Sequence, residues 1–182
     1  MKKIFLLATT AVFMTTANAM AEPLGTSSIN VGFTLQQLNG INVEQHINHG
    51  TMTIDPRAVN EAEDGWINLD TVSGSRAEYP NPDIVVALSG GQQGIFTTTG
   101  TPKTFFVQGT GDRQSCTVSH NNDCEFSDGV ELGSGVKISY FWLANRNDKW
   151  ITASTLSVTK AFLQDPDNYK THTYTLTLSY AN

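Results

Sequence analysis

Apolar and polar positions alternate along much of this chain with a period of two, which predicts strands rather than helices. Near the start, Ile29, Val31, Phe33 and Leu35 alternate with Asn30, Gly32 and Thr34, giving one apolar face and one small or polar face. Asn39-Gly40 is a strong turn signal, and weaker strand patterns cover Ile41 to Ile47 and Thr51 to Ile54. Further strands are predicted from Trp66 to Leu69, from Ile95 to Thr99 and from Thr104 to Gln108. The unbroken apolar run from Ile84 to Leu88 suits a strand buried on both faces. Val136 to Leu143 and Trp150 to Thr159 read as two strands joined by a turn at Asn145 to Asp148. The clearest strand is the last: Tyr174, Leu176, Leu178 and Tyr180 face one way, and Thr173, Thr175, Thr177 and Ser179 the other.

No window carries a sustained 3.6-residue apolar period with a cap at each end. Ala58 to Asp64 reads as a solvated loop because Glu61, Glu63 and Asp64 crowd it, and Asp165 to Asn168 reads as a turn. Many short strands separated by Gly and Pro indicate a single all-β sandwich.

The first residues belong to export rather than to that fold. Lys2 and Lys3 precede an apolar run from Ile4 to Met14, and Ala17-Asn18-Ala19 supplies an A-x-A cleavage site, with Ala19-Met20-Ala21 as the alternative. The run is too short to span a bilayer as a helix, and no cysteine follows it to carry a lipid anchor. The expected organisation is a signal peptide over residues 1–19, an N-terminal arm over 20–38 and a sandwich over 39–182. Cys116 and Cys124, the only cysteines, are expected to form a disulfide across a hairpin tip in an oxidising compartment.

Composition narrows the function classes. With 39% hydrophobic residues the chain has enough apolar content for a core, which excludes a disordered linker. A net charge of −6, taken to −8 when Lys2 and Lys3 leave, argues against nucleic-acid binding. Catalytic and metal motifs are weak. His46 and His49, three apart on a strand, point to opposite faces and read as surface or turn residues rather than metal ligands. Ser157-Val158-Thr159-Lys160 matches S-x-x-K in a segment that alternates as a strand, where the motif needs a helical turn. Gly133-Ser134-Gly135 is only a fragment of a nucleophile elbow, and the Gly-rich stretch from Ser89 to Gly94 has no Lys and opens no helix. No catalytic residue, cofactor or metal is therefore expected.

The two alternating ends are less ordinary. With the signal peptide, the chain size and the terminal run from Tyr174 to Asn182, they resemble the subunits of bacterial chaperone–usher pili and related thin surface fibres. The chain is similar, too, to uncharacterised secreted bacterial β-sandwich proteins that end on a comparable strand. Tyr180 in third-last place and the local cysteine pair mark a divergent branch. The resemblance implies an immunoglobulin-like sandwich lacking one strand, exported and displayed at the cell surface, without enzymatic activity. It implies that Ile29, Val31, Phe33 and Leu35 form a donor strand filling the groove of a neighbouring copy. Tyr174, Leu176, Leu178 and Tyr180 then line that groove and meet a periplasmic chaperone before an outer-membrane usher completes assembly. One-domain length fits a shaft subunit better than a tip adhesin. The competing expectation is a self-contained secreted or periplasmic module that binds a sugar or protein through Trp66, Trp142 or Trp150 or the acidic loop at Glu61 to Asp64, with its first strand paired in its own sheet.

Overall fold

A computed structural model describes residues 27–37, 40–74 and 76–182. The predicted signal peptide, residues 20–26 of the arm and Asn39 of the predicted turn lie outside these residues.

In chain order the strands begin β1 (Ser27–Gln37), β2 (Ile41–Gln45), β3 (Ile47–Ile54), β4 (Trp66–Ser73) and β5 (Arg76–Glu78). They continue with β6 (Val85–Ser89), β7 (Ile95–Thr98), β8 (Thr104–Gln108), β9 (Gln114–Thr117) and β10 (Asp123–Phe126). The last four are β11 (Val130–Gly133), β12 (Val136–Arg146), β13 (Lys149–Thr159) and β14 (Thr171–Ala181). Two short helices, α1 (Pro56–Glu61) and α2 (Lys160–Gln164), pack on each other and bury Val59, Phe162 and Leu163.

The strands form an all-β sandwich of two sheets. One has six strands in the order β6-β3-β1-β14-β8-β9. The other has eight and is built on β10-β12-β13-β4-β5, with β11 on β12, β7 on β13 and β2 on β7. Apolar side chains from both sheets meet in one core, where Phe105 sets its ring edge-on to Trp150 at 4.6 Å and Phe126 stacks on Phe141 at 5.7 Å.

Several expectations change once strands find their partners. Residues 27–37 are not a separate arm: they form β1 inside the six-stranded sheet. The expected strand Ile41 to Ile47 divides: Ile41–Gln45 is β2 of the eight-stranded sheet, while Ile47 opens β3, which continues through a bulge into the pattern expected from Thr51 to Ile54. Ile84 to Leu88 is not buried on both faces, because β6 is an edge strand and leaves Val86 46% exposed. Pro56 to Glu61 is helical: Asp55 caps it by accepting from Arg57 N at 2.8 Å, and Pro56 sits in the first turn, where no backbone donor is needed.

Cys116 and Cys124 are joined, but not across a hairpin. Cys116 lies on β9, the edge of the six-stranded sheet, and Cys124 on β10, the edge of the other. Their Cα atoms are 5.7 Å apart, so the bond closes one open side of the sandwich. Replacing both cysteines by serine is expected to lower the unfolding free energy by about 2.5 kcal/mol in the loop-entropy description. Urea denaturation measures this, and an unchanged midpoint would contradict it.

Candidate functional site

The strand positions singled out in the sequence meet in one place. β1 lies between β3, to which it is antiparallel, and β14, to which it is parallel. Phe33 is opposite Tyr174 and Leu35 opposite Leu176. Ile29, Val31, Phe33 and Leu35 are 0–3% exposed, and Leu176 and Leu178 are fully buried. Tyr174 and Tyr180 are half-buried. The Tyr174 ring stacks on Phe33 at 6.1 Å, and burial pushes its phenol pKa up. Tyr180 packs at 6.1 Å against Phe105 and donates its hydroxyl to the Thr99 carbonyl. The sheet thus contains a slot one strand wide, filled by the chain's own β1 and lined on one side by the predicted residues of β14.

Beneath that slot lies a polar cluster that the sequence did not reveal. His49 Nδ1 is 2.6 Å from Asp70 Oδ1, and His49 Nε2 is 3.0 Å from Ser154 Oγ. All three residues are 0% exposed, and Phe33 of β1 meets the His49 ring edge-on at 5.2 Å. His49 is therefore a core residue, not the surface or turn histidine expected from its spacing with the exposed His46.

Two bulges explain why the side chains point inward. In the β1–β3 pairing, Val31 is opposite Gly50 and Gly32 opposite Asn48, so His49 is the extra residue. Gly50 takes φ +80°, and a Cβ there would come within 2.3 Å of the Ser89 carbonyl oxygen, so only glycine fits. In the β4–β13 pairing, Leu156 is opposite Asp70 and Ser157 opposite Asn68, which makes Leu69 the extra residue and turns Asp70 into the core after it. Ser154 needs no such device, since it shares the core face of β13 with Leu156 and Val158.

The order Asp–His–Ser is that of an acyl-transfer triad, with the histidine between an orienting carboxylate and a hydroxyl. Its burial denies a substrate any approach to Ser154 Oγ. An ionised Asp70 can only accept, so it fixes the proton on Nδ1 and leaves Nε2 to accept from the Ser154 hydroxyl. What the cluster does is join the sheets, because His49 stands on β3 of one, and Asp70 and Ser154 on β4 and β13 of the other. Asp70 Oδ2 has no hydrogen-bond partner, and burial raises the Asp70 pKa above its ordinary 3.8 against the opposing pull of His49.

Ser157 donates its hydroxyl to Asn68 Oδ1, and its oxygen lies 2.7 Å from Ser139 Oγ, while Lys160, at the start of α2, donates to the Ala62 carbonyl at 2.6 Å. Among the described residues no group of three or more His, Cys, Asp or Glu side chains is arranged to hold a metal ion. No described helix is long and apolar enough to cross a membrane.

On the surface, the acidic loop and one tryptophan come together. Trp66, 44% exposed, borders a cavity of about 660 Å³ shared with Glu61, Glu63, Asp64, Asn81 and Asp83. Lys137 covers the Trp66 ring at 4.3 Å, and Lys160 approaches Asp64 at 3.5 Å. Trp142 is half-buried, and Trp150 is only 3% exposed.

Comparison of the chain with protein-family models, curated proteins and solved structures finds no match in any of the three.

Proposed function

We propose that this protein is a non-enzymatic structural subunit of a bacterial surface fibre, assembled when β1 of one copy enters the β3–β14 slot of the next. The observation that carries this reading is the slot itself. One strand fills it with four alternating, fully buried side chains, and only residues 38–40 tie that strand to β2. A strand tethered in this way can be exchanged for an identical one without changing any side-chain contact. Head-to-tail exchange does not close on itself, so it yields a filament. A subunit with its slot vacated exposes unpaired strand edges and apolar side chains, which a periplasmic chaperone shields until an outer-membrane usher adds the next copy.

The test uses Asn30 and Thr51, opposite one another on β1 and β3 and hydrogen-bonded through their side chains at 3.0 Å. Substituting both, Asn30→Cys and Thr51→Cys, gives an intramolecular disulfide when β1 stays at home and an intermolecular one when it is exchanged. Surface material from cells exporting the variant should run as a covalent ladder on a non-reducing gel, absent from the wild type. Monomer alone, with the new disulfide formed, would overturn the proposal.

The pairing of β1 within its own chain favours a second reading, a self-contained exported binding module. In that reading the cavity beside Trp66 takes the ligand and the slot never opens. The same gel separates the two, since a module gives no ladder.

A further inference from the structure

A second, smaller cavity of about 410 Å³ opens at the end of the sandwich, where three connections converge. They run between β7 and β8, between β9 and β10, and between β12 and β13. At or beside these connections the polar lining consists of Thr98 and Thr101, Asn122 and Asn145, and Asp148, with Gly100 and Pro102 between them, and the Thr98 hydroxyl donates to the Gly100 carbonyl at 3.2 Å. Trp150 completes the lining. Its ring is engaged in the core by Phe96 and Phe105, and its Nε1–H, buried, has no hydrogen-bond partner.

Such a lining suits a particular ligand. Planar amides and a carboxylate each offer two polar atoms at the spacing of neighbouring hydroxyl groups, and threonine hydroxyls both donate and accept. No Lys or Arg lines the cavity, and Asp148 brings a negative charge, so anionic ligands are disfavoured. A volume of this size holds a small ligand. The loops that build the cavity are held from below. Asn145 N donates to the Asn122 carbonyl at 2.8 Å, and Asn147 and Asp148 take φ +53° and +65° in a tight hairpin turn.

We infer that this loop-end cavity is a binding site for a neutral, polyhydroxylated ligand, a mono- or disaccharide unit. The inference does not depend on strand exchange, because the cavity lies wholly within one chain.

The experiment uses the mature wild-type protein, labelled with nitrogen-15 and titrated separately with the methyl glycosides of glucose, galactose, mannose and N-acetylglucosamine. Sialyllactose serves as the anionic probe. At least one neutral glycoside should move the Trp150 indole N–H signal and the backbone amides of residues 98–102 and 145–148, with a dissociation constant of about 1 mM. Asp148→Asn keeps a side chain that tolerates positive φ but removes the carboxylate, and Thr101→Val removes one hydroxyl. Each should weaken binding by about tenfold at an unchanged melting temperature. Shifts confined to Trp66, no shift with any neutral glycoside, equal binding of sialyllactose, or undiminished affinity in both variants would each overturn the assignment. Because the readout is taken on monomer, its failure is separate from failure to form a ladder.

Discussion

A mature chain lacking residues 21–38 does not accumulate as a folded monomer, and a synthetic peptide spanning Ser27–Gln37 restores it. This is the largest effect expected from any single change described above. Deletion removes Ile29, Val31, Phe33 and Leu35 from the core and leaves β3 and β14 unpaired along the slot. Each of these side chains stabilises by about 1.5–3 kcal/mol when fully buried. Together they rival the whole stability of a typical domain, about 5–15 kcal/mol. Size-exclusion chromatography and circular dichroism of the deleted form, with and without peptide, measure the outcome. A soluble, monomeric deletion form as stable as the parent would show that the slot is dispensable and would remove the basis for strand exchange.

Replacing His49 by alanine costs about 3–5 kcal/mol, because it strands the Asp70 carboxylate in the core with no partner from the opposite sheet. Replacing Asp70 by asparagine isolates the titration. Burial raises the folded-state pKa of Asp70 above 3.8, so in the window above 3.8 the folded protein holds a proton that the unfolded chain has released. The stability gained from that proton is complete below 3.8 and is lost as pH rises through the folded-state value. Acidification from neutrality toward 3.8 should therefore stabilise the wild type relative to Asp70→Asn. Urea midpoints of both proteins across that range test the sign. Parallel curves, or a wild type that weakens relative to the variant on acidification, would show that desolvation does not dominate at Asp70.

How much of this was legible in the sequence follows from what each feature depends on. The alternation of Ile29, Val31, Phe33 and Leu35, and that of Tyr174 to Tyr180, is a local property, and both segments are strands with their apolar faces inward or partly so. The hairpin turn between β12 and β13 announced itself through Asn145 to Asp148 for the same reason. What alternation cannot show is a change of phase. The bulges at His49 and Leu69 invert the in–out order of the residues that follow, so a reading by parity assigns Asp70 to the wrong face. Gly50 marks the bulge in the structure, but a glycine alone does not distinguish a bulge from a turn. Ser139 is a third such residue: it falls between Ile138, opposite Leu156, and Tyr140, opposite Thr155, which is why Ile138 and Phe141 are both buried.

Other features depend on partners distant in the chain. Cys116 and Cys124 are close in sequence, yet nothing local says that their strands join different sheets. The run Ile84 to Leu88 looks central by composition but lies at an edge. The α2 helix, five residues long and capped by the Thr159 hydroxyl, is too short to display a helical period. The loop-end cavity draws on residues from Thr98 to Trp150, and no short window contains them together.

The parallel pairing of β1 with β14 has a mechanical consequence. Tension that enters at the Ser27 end of β1 and leaves at the Ala181 end of β14 runs along the two strands in opposite senses, because they point the same way. It loads the ladder between Asn30–Thr171 and Gln37–Leu178 in shear, so its hydrogen bonds share the force instead of opening one after another from an end. The sandwich thus meets a longitudinal pull with its strongest geometry, while a pull that peels β1 from its Ser27 end meets only one pair at a time.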